Sequence, residues 1–281
     1  MDRKRQSPPH WPVWLKASVL VHVAAAGPIL IGLRFWPWSL AAVLVNHAVL
    51  AAAGLLPRSR LLGPNWTRLP CVDDRVALTI DDGPDPAVTP AVLDLLASHG
   101  AHATFFCIGE RVARHPELAR RITREGHEIG NHTAHHRHTF ALSGPASIHR
   151  EIAAAQASIL TACQVAPRYF RAPAGLRNPF LQPALSELRL ELASWTRRGF
   201  DTVNANGEVV LRRLTRNLEG GDILLLHDGG AARASDGTAV ILAVLPRLLA
   251  VLAGRQLRCV TLSEGLSGVE CRMDAAGASS G

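Results

Sequence analysis

From Arg75 onward, short apolar runs alternate with amphipathic stretches, and that alternation leaves few folds open. VALTID, HATFFCIG, HEIGNHT, RYFRAP, ELASWT, DILLLHD and LRCVTL read as strands. Helical periodicity lies between them, near Thr89–Ser98, Pro116–Glu125, Pro145–Thr161, Phe180–Leu188, Asn206–Leu218 and Thr238–Ala253. Such alternation implies parallel strands joined by right-handed crossovers. With about seven strands, the expected architecture is α/β, a distorted (β/α) barrel, with functional groups at the carboxyl ends of the strands. Asp81, Asp82, His132, Arg171, Asp201 and His227 each end or just follow a predicted strand, so one pocket is expected to collect them.

The first seventy residues differ in kind. Leu15–Leu33 and Leu40–Leu56 are almost wholly apolar, and as helices each is about 26 to 28 Å long, near the hydrocarbon thickness of a bilayer. Between them RFWPWS offers Trp36 and Trp38 for a headgroup interface and Pro37 for a turn, so an N-terminal transmembrane helical hairpin is expected. One span with a peripheral helix, or a cleaved signal peptide behind the basic Arg3, Lys4 and Arg5, are the competing readings. Arg3, Lys4, Arg5 and Lys16 precede or open the first span and Arg58, Arg60 and Arg68 follow the second, whereas only Arg34 sits between them. The excess of cations on both flanks predicts a catalytic domain on the cytoplasmic face of the membrane. His22, Asn46 and His47 read as groups where two helices meet. The expected division is a basic segment and hairpin over 1–62, a linker over 63–74, one catalytic domain over 75–268, and a disordered tail over 269–281.

The net charge of +7 is spread along 281 residues without a nucleic-acid motif, so no nucleic-acid partner is expected; an anionic membrane surface or a phosphate-bearing substrate fits better. Five scattered cysteines without CxxC spacing give neither a disulfide framework nor a cysteine metal site.

The chemistry concentrates in TIDDGP at Thr79–Pro84 and HTAHH at His132–His136. Two adjacent carboxylates at the end of an apolar strand repel unless they share a cation or a proton. Adjacent strand residues point oppositely, so Asp82 can face a metal while Asp81 addresses a water. HEIGNHTAHHRH holds five histidines. His132 and His136, at i and i+4, share one side if the segment turns helically after its strand. His135 and His138 stand as substitutes, and His127 reads as structural. Two imidazoles and one carboxylate leave positions open for water and substrate, so a divalent metal is expected, zinc by default, with cobalt, nickel or manganese as alternatives.

The ordered motifs TIDDGP, HTAHH, RAPAG at Arg171–Gly175 and LLH at Leu225–His227 resemble the polysaccharide deacetylases of carbohydrate esterase family four, the NodB homology domain, over about Arg75–Leu266. That resemblance implies metal-dependent hydrolysis of an N-acyl, chiefly N-acetyl, group on an amino sugar. It implies Asp81 as general base, Asp82, His132 and His136 as metal ligands, and Arg171 as the group that orients the base. It further implies His227 as the acid that protonates the leaving amine, and Asp201 as its partner. Pro173, Ala174, Gly175, Trp195 and Leu225 are expected in the substrate pocket, with a backbone N–H near Ala174 at the oxyanion. The chain departs from the family pattern with Ala174 where relatives often carry an aromatic residue and Arg137 where they carry proline. Arg198 stands in place of an acid and Thr202 in place of tryptophan, and Arg197 and Arg198 read either as a meeting point for an anionic group or as a solvated basic loop. The expected substrate is a polysaccharide or a lipid-linked sugar. The alternatives are a deformylase of a polyprenyl-linked amino sugar, or a metal-binding membrane assembly factor without turnover.

Overall fold

The computed structural model describes residues 12–31, 36–70 and 73–267, with side chains placed for all of these except 28–31. Arg3, Lys4, Arg5, Arg34, Cys71, Cys271 and the tail lie outside the described residues.

Two helices open the chain, α1 (Val13–Ile31) and α2 (Trp36–Leu55). They pack together, with Asn46 Nδ2 donating to Ser18 Oγ at 2.8 Å and the His22 and His47 rings meeting edge-on at 5.1 Å. Polar groups therefore face the partner helix, while Leu20, Val23, Trp38, Leu44 and Val45 are exposed. The α2 helix is long and apolar enough to cross a membrane, by length and composition. It begins at Trp36, earlier than the predicted Leu40, because Pro37 sits in the first turn, where a missing N–H costs nothing.

The rest alternates as predicted. The elements are β1 (Arg75–Asp81), α3 (Thr89–Ser98), β2 (Thr104–Cys107), α4 (Gly109–Arg114), α5 (Pro116–Arg124), β3 (Glu128–Asn131), α6 (Pro145–Cys163) and β4 (Tyr169–Phe170). They continue with α7 (Leu181–Glu187), β5 (Glu191–Leu192), β6 (Arg197–Arg198), α8 (Gly207–Thr215), β7 (Ile223–His227), α9 (Val240–Gly254), β8 (Arg258–Val260) and α10 (Leu262–Leu266). All ladders are parallel, in the order β5-β4-β3-β2-β1-β7-β6, with β8 pairing the first residues of β1. The predicted strand ELASWT divides. Its start pairs with β4, and the residues just beyond its end pair with β7, so the run Glu191–Arg198 joins the two ends of the sheet. That bend distorts the barrel. The short α4, absent from the periodicity reading, is one and a half turns, too few for a repeating apolar stripe.

Alternation along the strands sorts side chains into two layers. Val76, Leu78 and Ile80 of β1 join the core beneath α3, α5, α8 and α9, whereas Ala77 packs in the barrel interior with Phe106, Tyr169, Trp195, Ile223 and Leu225. Thr79 and Asp81 share the phase of Ala77, and register pairs Thr79 with Leu225 and Asp81 with His227. The strand period thus aims Asp81 and His227 into the upper interior. The end of α2 and the residues past it lie against the barrel: Gly54 of α2 abuts the Arg177 backbone, Trp66 bridges Ala193 and its Nε1 donates to Glu191 at 2.6 Å, and Leu69 joins the interior cluster.

Candidate metal and catalytic centre

β1 ends at Asp81, and Asp82 takes a left-handed backbone, φ 73°. This turn separates the two carboxylates. Gly83 follows where a side chain has no room, since a Cβ there would lie 2.4 Å from the Asp228 carboxylate. After β3, the histidine segment is a loop and not the helical turn expected from the i, i+4 spacing. Thr133 and His136 both have positive φ, 66° and 49°, the Asn131 side chain accepts from Thr133 N at 3.0 Å, and Thr133 Oγ1 accepts from His136 N at 3.0 Å. The loop still brings the two rings together, with centroids 4.7 Å apart.

Asp82 Oδ1 lies 3.2 Å from His132 Nε2 and 3.2 Å from His136 Nε2. His132 Nδ1 meets the Arg171 carbonyl at 2.8 Å, which orients the ring so that Nε2 faces the cleft. The Asp82 Oδ1 atom is buried and takes no hydrogen bond. The three ligand atoms lie within 4.8 Å of one another, close enough for a single ion to take all three. The residues fit a divalent cation.

The electrostatics agree. Burial raises the Asp82 pKa, but the pull of the adjacent His132, with that of His136 and His227, outweighs it and holds the carboxyl well below the usual range. Burial opposes a charged His132, yet Asp81 and Asp82 together raise its pKa, so without a metal the site draws a proton toward itself. Burial, then the neighbouring His132, lower His136 to about 4, leaving it neutral and ready to ligate at neutral pH. A bound metal takes the place of the attracted proton.

Beside this triad stand two supported groups. Asp81 Oδ1 accepts from Arg171 Nη1 at 2.7 Å, and its Oδ2 is 3.8 Å from His132 Nε2. Arg171 is 1% exposed and spends its other donors on Thr79 Oγ1 and the carbonyls of Ala193 and Ser194, with its guanidinium 4.1 Å over the Phe106 ring. On the far side, His227 Nδ1 meets Asp201 Oδ1 at 2.9 Å while Asp201 Oδ2 accepts from His227 N at 2.7 Å. Burial opposes the imidazolium, but Asp201, helped by Asp81 and Asp82, outweighs it and raises the His227 pKa.

A cleft of ≈ 540 Å³ opens over these groups. Asp81, Asp82, His132, His136 and His227 line it with Ala174, Gly175, Trp195 and Leu225, while Pro173, Arg171 and Asp201 are buried behind its surface. Ala174 is left-handed, φ 54°, and Gly175 is closed in, since a Cβ there would meet Trp195 at 2.6 Å and Pro57 at 2.7 Å. His138 and His135 reach the rim, but His135 Nδ1 is taken by Glu151 at 3.0 Å. His127 is buried beside Phe105, away from the cleft.

Three participants carried no sequence signal strong enough to single them out. Thr79 supports Arg171 and is found by counting two residues back from Asp81 on the same strand face. Arg111 reaches the cleft from the unpredicted α4. Asp228, which reads from sequence as a strand-ending turn, is buried and accepts from Thr89 Oγ1 and from Gly229 N at 2.9 Å; burial pushes its carboxyl up to about 7.

The sequence model of the family described as Polysaccharide deacetylase matches residues 70–193. The peptidoglycan-N-acetylglucosamine deacetylase of Bacillus cereus is 38% identical over 191 residues, covering 67% of this chain and 86% of that one. A chitooligosaccharide deacetylase of Bradyrhizobium is 39% identical over 155 residues, 55% of this chain and 70% of that one. The solved structure of the peptidoglycan deacetylase PdaC from Bacillus subtilis superposes with a TM-score of 0.64 at 28% identity, covering 74% of this chain and 98% of that one.

Proposed function

Because this chain belongs to the polysaccharide deacetylase family and is a carbohydrate N-deacetylase, we propose that it removes the N-acetyl group of an amino sugar at the Asp82–His132–His136 centre. The observation that carries this reading is the convergence of three ligand atoms, of which the buried Asp82 Oδ1 has no hydrogen-bond partner, between a carboxylate held by arginine and an imidazole held by aspartate.

Asp82, His132 and His136 hold the metal, which when bound supplies Lewis-acid polarisation and lowers the pKa of water; zinc is the default for this donor set. Asp81 is the general base. With Oδ1 fixed on Arg171, Oδ2 remains toward the triad to take a proton from the attacking water. His227, with Nδ1 tied to Asp201, presents Nε2 to the cleft and gives its proton to the departing amine. Trp195 and Leu225 supply an apolar wall for the acyl methyl and sugar face, Pro173 shapes the turn behind it, and the backbone at Ala174–Gly175 supplies a donor for the oxyanion.

The chain attaches to a membrane through α1 and α2, supported by their outward apolar side chains and the length of α2. The barrel meets the end of α2 directly, as Ser194 Oγ donates to the Pro57 carbonyl at 2.7 Å and Arg58 reaches the Thr196 carbonyl at 3.3 Å. Arg58, Arg60 and Arg68 on this side favour the cytoplasmic face, where a lipid-linked amino sugar is a more accessible substrate than an external polymer. Amine release from N-acetylated sugars by metal-reconstituted protein, beside the Asp81→Asn variant, tests the reading. Release that needs both metal and Asp81 is expected; release that survives Asp81→Asn would remove Asp81 as base.

A further inference from the structure

The two arginines of β6 part company, because adjacent strand residues face opposite ways. Arg197 turns from the cleft, and its guanidinium is consumed by the Asp222 carboxylate and the carbonyls of Arg216 and Asn217. Arg198 turns into the cleft, its guanidinium 5.4 Å from the Trp195 ring and 5.0 Å from the Phe200 ring. Trp195 also lies 5.7 Å from the Arg171 guanidinium, so two cations flank one indole. Arg171 is neutralised by Asp81 at 2.7 Å. Among the described residues no carboxylate lies within 4.0 Å of Arg198, and its Nε is buried without a hydrogen-bond partner. Besides burial, Arg198 helps to lower the pKa of Arg171, as an uncompensated neighbouring cation does.

A guanidinium fixed between two rings has already lost much of its rotamer freedom, and its planar fork is shaped for an oxyanion. A second cation, Arg111, lines the same cleft, and among the described residues its one ion pair is a long one to Asp85, at 3.8 Å. Resting on the deacetylase reading, we propose that Arg198 binds a phosphate carried by the N-acylated amino sugar, making a phosphorylated sugar, and not a neutral glycan, the preferred substrate. Two under-paired arginines beside a metal centre favour a multivalent anion over a single carboxylate. The phosphate belongs either to a soluble sugar phosphate or to a lipid-linked sugar.

The test uses the full chain, metal-loaded, in lipid nanodiscs. Deacetylation is followed with methyl N-acetylglucosaminide, N-acetylglucosamine 1-phosphate and a prenyl-phosphate-linked N-acetylglucosamine. In the wild type the phosphate raises kcat/KM about ten- to hundredfold, mainly through KM. Arg198→Gln collapses the ratio of phosphorylated to neutral substrate at least tenfold, and Arg198→Lys retains part of it. Equal kcat/KM for the neutral and phosphorylated sugars in the wild type, or a ratio unmoved by Arg198→Gln, overturns the proposal. Titration calorimetry of the neutral and phosphorylated ligands reads the same ratio without turnover, so absent hydrolysis with a tenfold affinity difference condemns only the deacetylase reading. A gain confined to the prenyl-linked arm identifies the lipid source, and a gain equal in the soluble arm identifies the free one.

Discussion

Arg171 Nη1 and Asp81 Oδ1 form an ion pair of 2.7 Å with both side chains almost wholly inside the protein, 1% and 4% exposed. Such a pair is stabilising only relative to its broken form, because each charge was desolvated at a cost that its partner offsets. Arg171→Met should therefore leave Asp81 as a lone buried carboxylate and lower stability by about 3 to 5 kcal/mol in denaturant unfolding. Arg171→Lys should rescue little, since one ammonium cannot also reach Thr79 Oγ1 and the carbonyls of Ala193 and Ser194. A lysine variant as stable and active as wild type would show that charge alone suffices.

Metal removal and Asp82→Asn should be equivalent in their effect on stability. A metal that binds only the folded chain adds about 2.7 kcal/mol at a hundredfold excess over its Kd. Wild type should therefore melt at a higher temperature with metal than with chelator, whereas Asp82→Asn should show almost no difference. Because Asp81 and Asp82 raise the His132 pKa, protons compete with the metal, and the metal-induced shift in Tm should shrink as pH falls. A metal-induced shift of full size in Asp82→Asn would place the ligands elsewhere.

The pH profile should report His227. Against burial, Asp201 with Asp81 and Asp82 raises its pKa, so the protonated form contributes stability fully present below the unfolded value near 6.5 and lost as pH rises through the folded pKa. The same upward shift favours the protonated imidazole that an acid role for His227 would use. In Asp201→Asn only one oxygen is left to accept from both the His227 backbone N–H and Nδ1–H, and the amide NH2 opposes whichever of these donors it meets. The alkaline limb of kcat should move to lower pH, with a fall in rate of about 10² to 10⁴. An alkaline limb that stays in place would assign it to another group.

Much of the site was legible because it obeys short-range rules. The period of two on β1 puts Thr79 and Asp81 on one face, and LLH does the same for Leu225 and His227. The histidine pair was found by spacing although its conformation was misread: a loop with left-handed Thr133 and His136 reproduces the proximity of a helical turn. What stayed hidden depends on residues distant in sequence. Arg197 and Arg198 look alike until Asp222 claims one and Trp195 the other. Asp228 looks like a turn until α3 supplies Thr89. The split of ELASWT into two pairings follows from the need to join β4 to β7, which no local pattern records.

The residues between α2 and β1 include the stretch 63–74, which reads from sequence as a linker, yet they are tied to the barrel. Trp66 N donates to the Leu192 carbonyl at 2.9 Å, Ser194 N donates to the Trp66 carbonyl at 2.8 Å, and Asn65 Nδ2 ties back to the Pro57 carbonyl at 2.9 Å. Pro57 also closes over Gly175 at the wall of the cleft. A chain beginning at Pro57 should therefore lack the membrane attachment proposed for α1 and α2 yet keep a folded barrel and its cleft. One beginning at Arg75 should expose the backbone of Leu192 and Ser194 and the Glu191 carboxylate that Trp66 held, losing four backbone hydrogen bonds, those of Leu69 N to Gly221 and of Arg258 N to the Asp74 carbonyl among them, and a part-buried tryptophan contact, about 2 to 6 kcal/mol together. Thermal melts of the two truncated proteins, with metal content measured on each, check this. Equal stability would mean that residues 57–70 lie on the barrel without supporting it.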